Sequence, residues 1–473
     1  IVGVSRRMNL GHTILDNVVR AGFPREHLVV VKPGAEEIDG CRCVPDVASL
    51  PGRVDVFVVA VSADQAPDVV AEVIERDLAE TFIVIPSGFA ETEAGADRAR
   101  RLRRALETAR ARPDGGPVLN GANCLGVRSR PGHIDTFFVP TRKLPPGDRP
   151  VPLALITGSG AFAVTRLSRL GRLDPRYVIT IGNQMDLTAG DYLAHLVDDP
   201  GVRVAGVYVE GFAPLDGARF LQAARAFRES GRAVVLYRAG RTVEGAQASA
   251  SHTASIAGDA VVARALARQA GVAWAETPAE FDDLLRTFLL LDGRPAAGRR
   301  LGAVTNAGSE CVTIADHLGS LVLADLGSAT RRRLEAIVGP TGIEDVVDIH
   351  HPIDLTPIGN GRIYEDVART LLEADEVDVG LVGIVPVTDT LESLGPEVGG
   401  DEDPGASDAV APRLVRLFQA THKPWVAVVD AGPLYDPFVG ILEDGGVPTF
   451  RTADAALRAL ATYCDVTGPR PTG

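Results

Sequence analysis

The sequence predicts an α/β protein of parallel sheets, arranged as about three units in tandem. Three observations carry that prediction. Apolar runs of strand length alternate with helical patterns along the whole chain. Three of these runs are each followed by a small-residue loop and then a helical pattern: Ile1–Ser5 before Arg6–Gly11, Pro152–Thr157 before Gly158–Gly160, and Leu301–Thr305 before Asn306–Gly308. The 473 residues amount to roughly three domains at about 150 residues each.

The elements follow in order. The first unit takes Ile1–Ser5, His27–Val31, Asp55–Val61 and Thr81–Ile85 as strands, with helices between them. In the second, Pro152–Thr157 is followed by the strands Tyr177–Ile181, Val204–Val209 and Ala233–Tyr237. Its helices are expected over Ala161–Leu170, Gly190–Leu196, Asp216–Ser230 and Asp259–Gln269. The third unit continues with the strands Gly380–Val385 and Trp425–Val429 and closes on a helix, Asp454–Cys464, for which Asp454 is the expected N-cap. Thr141–Val151 and Asp292–Arg300 are Pro/Gly-rich with exposed charge and read as linkers. Gly395–Ala411 reads as a surface loop within the last unit. Open parallel sheets bind ligands at the carboxyl ends of their strands, so the loops after each strand are where chemistry is expected.

Composition narrows the function classes. Lys and Arg number 48 against 62 Asp and Glu, a formal charge of −14. Such a surface argues against nucleic acid as a partner, because phosphate neutralisation needs clustered cations. No window approaches the roughly 18 consecutive apolar residues that would span a membrane. Five cysteines (Cys41, Cys43, Cys124, Cys311, Cys464) form no CxxC pair. With no signal-peptide pattern at the start, they fit a reducing cytoplasm. Only Lys32, Lys143 and Lys423 are lysines, and none precedes Ser or Thr, so no GxxxxGK[ST] phosphate loop exists. His350 and His351 stand together, but no third ligand recurs at metal spacing, and no metal site is expected.

Two loops and one histidine carry the chemistry. Gly3-Val4-Ser5-Arg6-Arg7 follows a strand and leads into a helix, where backbone N–H groups and the helix dipole suit an anion. It is not a GxGxxG fingerprint, and Lys32, before Pro33, stands where a dinucleotide fold would place an acid. A cation there suits a phosphorylated ribose better than a free hydroxyl. The same residues also fit a structural glycine turn with solvated arginines. Gly158-Ser159-Gly160-Ala161 lets a ligand approach the backbone, and Asn306-Ala307-Gly308-Ser309 reads equally as a structural turn. His252 lies among small and hydroxyl residues, from Ala248 to Gly258, after a strand and before a helix. That setting leaves room for a phosphoryl group on an imidazole nitrogen. Glu210 ends a strand of the same unit and is placed to hold the other ring nitrogen. Spacing alone leaves the nucleophile reading open.

The order of motifs closely resembles the α part of the NDP-forming acyl-CoA synthetases, relatives of succinyl-CoA synthetase. The matching pieces are Gly3-Val4-Ser5-Arg6, Gly88-Phe89-Ala90-Glu91, Asn123-Cys124-Leu125-Gly126, Gly182-Asn183-Gln184, Val209-Glu210-Gly211-Phe212, Ala239-Gly240-Arg241-Thr242, and Ser251-His252-Thr253 with Ala257-Gly258. The resemblance covers essentially the whole chain. It implies three Rossmann/flavodoxin-like domains in tandem: a CoA-binding domain over 1–145, a ligase domain carrying the phosphohistidine over 146–296, and a second ligase domain over 297–473.

It further implies a reversible reaction that joins a small carboxylic acid, CoA and ATP into an acyl-CoA through an acyl phosphate. His252 would be phosphorylated in turn and Glu210 would hold it. Gly3, Ser5, Arg6, Arg7, Lys32, Pro33, Ser87, Gly88 and Asn123 would bind CoA. Ser159, Gly160, Asn183, Gln184, Ala257 and Gly258 would bind phosphate and substrate. The nucleotide, with Mg2+, would be handled by a separate ATP-grasp β subunit in an α2β2-type assembly. The run Val243–Ile256 is expected to be a loop that moves between sites. The chain departs from the family at Gly158, where Gln is usual, at Lys32 for Asn, at Arg238 for Lys and at Ala254 for Gly. A CoA- or acyl-CoA-sensing regulatory protein of the same fold is the alternative, and a dehydrogenase is disfavoured by the broken glycine fingerprint.

Overall fold

The structure is a computed structural model that describes residues 1–89, 95–253, 259–339, 350–395, 398 and 400–469, without the side chains of 249–253. Ala90, Glu91, Ala254, Ala257 and Gly258 therefore lie outside the described residues. The chain divides into two compact units, Ile1–Pro278 and Ala279–Gly473.

The first unit holds two sheets. In one, Val29–Val31 pairs with Cys41–Val44, which carries Glu37–Ile38 at its edge; Val54–Val59, Ala79–Val84 and Val118–Gly121 form the other half. Val2 joins the halves, bridging in parallel to Val31 on one side and Val59 on the other. The expected strand Ile1–Ser5 is thus reduced to one ladder residue. Gly3 ends it, because its φ of +94° turns the backbone and a Cβ there would meet the Ala60 carbonyl. The following helix, Leu10–Arg20, is capped by Asn9, whose side chain accepts from His12 N at 2.9 Å.

The second sheet runs, edge to edge, Ala273–Ala275, Ala233–Arg238, Val204–Val209, Arg149–Thr157, Leu173–Thr180, Val127–Ser129 and Ile134–Asp135. The first five strands are parallel, and Val127–Ser129 pairs antiparallel with both Leu173–Thr180 and Ile134–Asp135. All six residues of Val204–Val209 are buried, as expected of a central strand covered on both faces. Two of its strands, Val127–Ser129 and Ile134–Asp135, precede the Thr141–Val151 linker, so the chain crosses from the first sheet to the second before it. The helices Gly160–Leu170, Ala189–Leu196, Asp216–Glu229 and Ala260–Gln269 begin and end within a residue of expectation.

Val243–Thr253 is a helix and corrects the expected loop. Thr242 Oγ1 accepts from Gly245 N at 3.0 Å, which caps the first turn, and Glu244 sits where the dipole favours an anion. The alanines and Gln247 supply the propensity.

The second unit is one parallel sheet, ordered Val322–Leu323, Arg300–Thr305, Val379–Ile384, Trp425–Val429, Thr449–Phe450, with Ile353–Asp354 pairing the carboxyl end of Arg300–Thr305. Its closing helix is Ala453–Thr467, with Thr452 at the N-cap position. Asp454 is inside the first turn rather than its cap. The Thr452 hydroxyl and the Arg458 guanidinium, 2.8 Å away, hold its carboxyl below the usual range. His351 is a structural pin: its ring accepts from Ala303 N at 2.7 Å and faces the Ala324 carbonyl at 3.0 Å. Burial pushes it down to about 4. Among the described residues no helix is long and apolar enough to cross a membrane.

Glu310 is the second unit's costly group. It is only 5% exposed, one oxygen accepts from the Thr305 hydroxyl, and the other has no hydrogen-bond partner. Burial pushes its carboxyl from an ordinary 4.5 up to about 7. An acid whose pKa rises on folding destabilises the fold where only the unfolded chain ionises, so the penalty is absent below pH 4.5, grows to pH 7 and is complete above. Glu310→Gln keeps the Thr305 bond without the charge. Its unfolding free energy from urea titration should exceed wild type at pH 8 by about 1–3 kcal/mol, at about 1.4 kcal/mol per pKa unit, and the gain should vanish toward pH 5. Equal midpoints at both pH values would contradict it.

Candidate active site

A cleft of about 930 Å³ opens at the carboxyl ends of the strands of both sheets in the first unit. That size suits a cofactor-like ligand. From the first sheet come Ser62, Ala63, Ser87 and Asn123; from the second come Gly158, Ser159, Gly160 and Glu210. Leu10, Leu125, Phe138, Val139 and Val164 supply an apolar wall.

Each polar group is held by its element. Ser159 is the N-cap of Gly160–Leu170, its hydroxyl accepting from Phe162 N at 3.3 Å. The dipole of that helix therefore opens into the cleft. Gly160 faces Leu125, and a Cβ there would come within 2.8 Å of it. A Cβ at Gly158 would meet nothing closer than 3.7 Å, so its glycine leaves space rather than relieving strain. Glu210 is half-buried, and its Oε1 accepts from the Tyr208 hydroxyl at 3.2 Å. Asn123, at φ +55°, donates from its Nδ2 to Asn183 Oδ1 at 3.4 Å. Gln184 donates to the Gly211 carbonyl at 3.3 Å, beside Glu210.

The structure thus brings Ser87, Asn123, Ser159, Gly160 and Glu210 onto one cleft, with Asn183 and Gln184 tying its rim. Gly88, at φ +94°, sits next to Ser87, its carbonyl accepting from Arg98 at 2.8 Å. Ser5 folds back on the Asn9 side chain at 3.3 Å, leaving Arg6 and Arg7 exposed. Lys32 is half-exposed and Pro33 exposed at the end of Val29–Val31. These five do not line the cleft. His252 is placed as a backbone position on Val243–Thr253. The helix after Gly258 starts at Ala260, and the Asp259 carboxylate accepts from Val261 N and Val262 N, so a protein anion uses those donors.

Sequence reasoning missed the apolar wall, Tyr208 and His12. The His12 ring lies between the Ser5 carbonyl, 2.7 Å from Nδ1, and Asp39 Oδ2, 2.8 Å from Nε2, pinning the first loop to the turn at Asp39. Period-two spacing from Glu210 was the available signal for Tyr208.

Residues 1–130 match the CoA binding domain family, and residues 150–288 match the succinyl-CoA ligase like flavodoxin domain family. Fold and cleft thus define a CoA-binding α/β domain joined to a flavodoxin-like ligase domain. Over 470 residues the chain is 27% identical to the alpha subunit of ADP-forming acetate–CoA ligase II of Pyrococcus furiosus, covering 98% of itself and 94% of that protein. It is 28% identical over 466 residues to ADP-forming acetate–CoA ligase I of Archaeoglobus fulgidus, where it spans 98% of itself but 61% of the longer relative. An acetyl-coenzyme A synthetase of Candidatus Korarchaeum cryptofilum, solved in its apo form, shares the fold at a TM-score of 0.84 and 24% identity, over 98% of this chain and 94% of that one. Over nearly its whole length the chain is thus similar to α subunits of ADP-forming acetate–CoA ligases, and its first 288 residues match the two domain families those similarities imply.

The two glycines of the loop should separate on substitution. Gly158→Ala should leave the unfolding free energy from urea titration within about 0.5 kcal/mol of wild type. Gly160→Ala should cost about 1–3 kcal/mol, because it displaces buried Leu125. Equal effects at the two positions would show that the loop is not packed as described.

Proposed function

We propose that the chain is the α subunit of an ADP-forming acid–CoA ligase, acting in the cytoplasm with a separate nucleotide-binding partner of ATP-grasp type. The observation that carries the proposal is the shared cleft. It brings a helix N-terminus and a carboxylate from the ligase domain to Ser87 and Asn123 of the CoA-binding domain. The reading is supported by 27% identity over 470 residues to a named alpha subunit of an ADP-forming acetate–CoA ligase.

The residues present fit CoA. The apolar wall of Leu10, Phe138 and Val139 suits an aliphatic arm, and exposed Arg6 and Arg7 with Lys32 suit its phosphates. Bound there, CoA supplies the thiol that accepts the acyl group. Ser159 and the N–H groups of the following helix turn hold the anion that leaves. Activation comes first, because a carboxylate oxygen is a poor leaving group until it is joined to phosphate.

His252 is the proposed carrier: it accepts a phosphoryl group from ATP, releasing ADP, and passes it to the carboxylate, giving the acyl phosphate and free imidazole. Glu210 accepts the ring's other N–H, which fixes the tautomer and stabilises the charge that develops. Ala257 and Gly258 are proposed to complete the phosphate site. Mg2+ and the adenine nucleotide belong to the partner, and an α2β2-type assembly is proposed.

Incubated with labelled ATP and its partner, the chain should acquire an acid-labile, base-stable label that His252→Ala loses, and without the partner neither label nor thioester should form. Equal labelling of wild type and His252→Ala would remove the nucleophile assignment. Turnover by the chain alone would place the nucleotide site here instead.

A further inference from the structure

Glu210 can serve an imidazole only if its carboxylate is aimed, and the strand end that carries it is half-exposed. Tyr208 precedes it by two residues, so both side chains leave the same face of the sheet. The Tyr208 hydroxyl donates to Glu210 Oε1 at 3.2 Å. The Tyr208 ring lies nearly flat on Phe162, with centroids 4.0 Å apart and planes 14° from parallel. Tyr237 closes the cluster, 5.6 Å from Tyr208 and 5.9 Å from Phe162, and sits directly across from Tyr208 on the paired strand. Arg166 lies 5.0 Å from the Phe162 centroid.

These rings come from three places that matter to the proposed chemistry. Phe162 belongs to the first turn of the helix capped by Ser159. Tyr208 leads to Glu210. Tyr237 leads through Ala239–Thr242 to the helix that carries His252. A ring packed between two others has few rotamers left, so its hydroxyl is a fixed donor. Burial first, and then the neighbouring Glu210 carboxylate, push the Tyr208 phenol up, so it remains protonated throughout the neutral range.

We infer that Tyr208 is a positioning residue: clamped by Phe162 and Tyr237, its hydroxyl fixes the Glu210 carboxylate in the orientation that engages His252. The inference rests on the phosphohistidine reading above. Tyr208 acts through Glu210 and touches no reacting atom.

A double-mutant cycle on the full chain tests it without any partner. Potassium phosphoramidate phosphorylates histidine directly, so the initial rate of phosphate incorporation at His252, read by mass spectrometry at neutral pH, reports how well the imidazole is activated. Glu210→Gln should slow incorporation roughly tenfold, the scale of one hydrogen bond to a charged group. Tyr208→Phe keeps the ring, and it should slow incorporation several-fold in the wild-type background. In the Glu210→Gln background it should do nothing further, because its route of action is gone. Phe162→Leu, which removes the clamp but not the hydroxyl, should show the same dependence on Glu210. Incorporation at the wild-type rate in Tyr208→Phe would overturn the inference. So would an equal slowing in both backgrounds, since the tyrosine would then act independently of Glu210. If Glu210→Gln labels like wild type, or wild type does not label His252 at all, the phosphohistidine reading fails and this inference falls with it.

Discussion

The first unit depends on a stretch of chain that belongs to two sheets at once. Val118–Gly121 is the edge strand of the first sheet, and a few residues later Val127–Ser129 pairs with the second. Between them the chain is pinned to the end of Leu173–Thr180. The fully buried Thr180 hydroxyl accepts from Leu125 N and Gly126 N, both at 2.9 Å, and donates to the Gly126 carbonyl at 2.8 Å. Asn183 N, Met185 N and Leu187 N then bond back to the carbonyls of Ala122, Gly121 and Leu119. Buried backbone groups left without such partners would be expensive, so this junction has one low-energy arrangement.

That arrangement determines the cleft. Because Asn123 and Leu125 ride on the junction, they meet Ser159, Gly160 and Glu210 without any loop having to fold over them. Arg110 adds a further tie, pairing with Asp186 at 2.6 Å while the same carboxylate accepts from Leu119 N at 2.8 Å. The rigid side of the site is thus backbone and buried polar groups. The helix Val243–Thr253, on which His252 is placed as a backbone position, is different in kind: it begins from a hydroxyl cap at Thr242, and the next one is capped by Asp259.

Much of this was legible in the sequence. The central strands Val204–Val209 and Trp425–Val429 were found to the residue, because a strand buried on both faces is an unbroken apolar run between turn signals. The motif residues Ser159, Asn123 and Glu210 were also legible, and they do converge. What was missed had physical reasons. Ile1–Ser5 looks like a strand, but Gly3 turns the backbone after a single bridge. Val243–Ile256 looks like a loop because it is small and polar, yet a local cap and alanine content suffice for a helix over Val243–Thr253. Asp454 is a good N-cap residue type, but the helix starts one residue before it, so it supports the first turn instead. The aromatic clamp was invisible because Phe162, Tyr208 and Tyr237 are far apart in sequence, and only the strand order brings them together.

The central claim is that one cleft, built from both sheets of the first unit, holds the acyl-transfer chemistry. Amide hydrogen exchange of the full chain, with and without CoA and inorganic phosphate, tests it most directly. The account predicts slowed exchange in the loops at 61–63, 86–88 and 123–125 and equally at 158–164, all of which contribute to the cleft wall. Protection confined to the first three loops, with 158–164 unchanged, would contradict it.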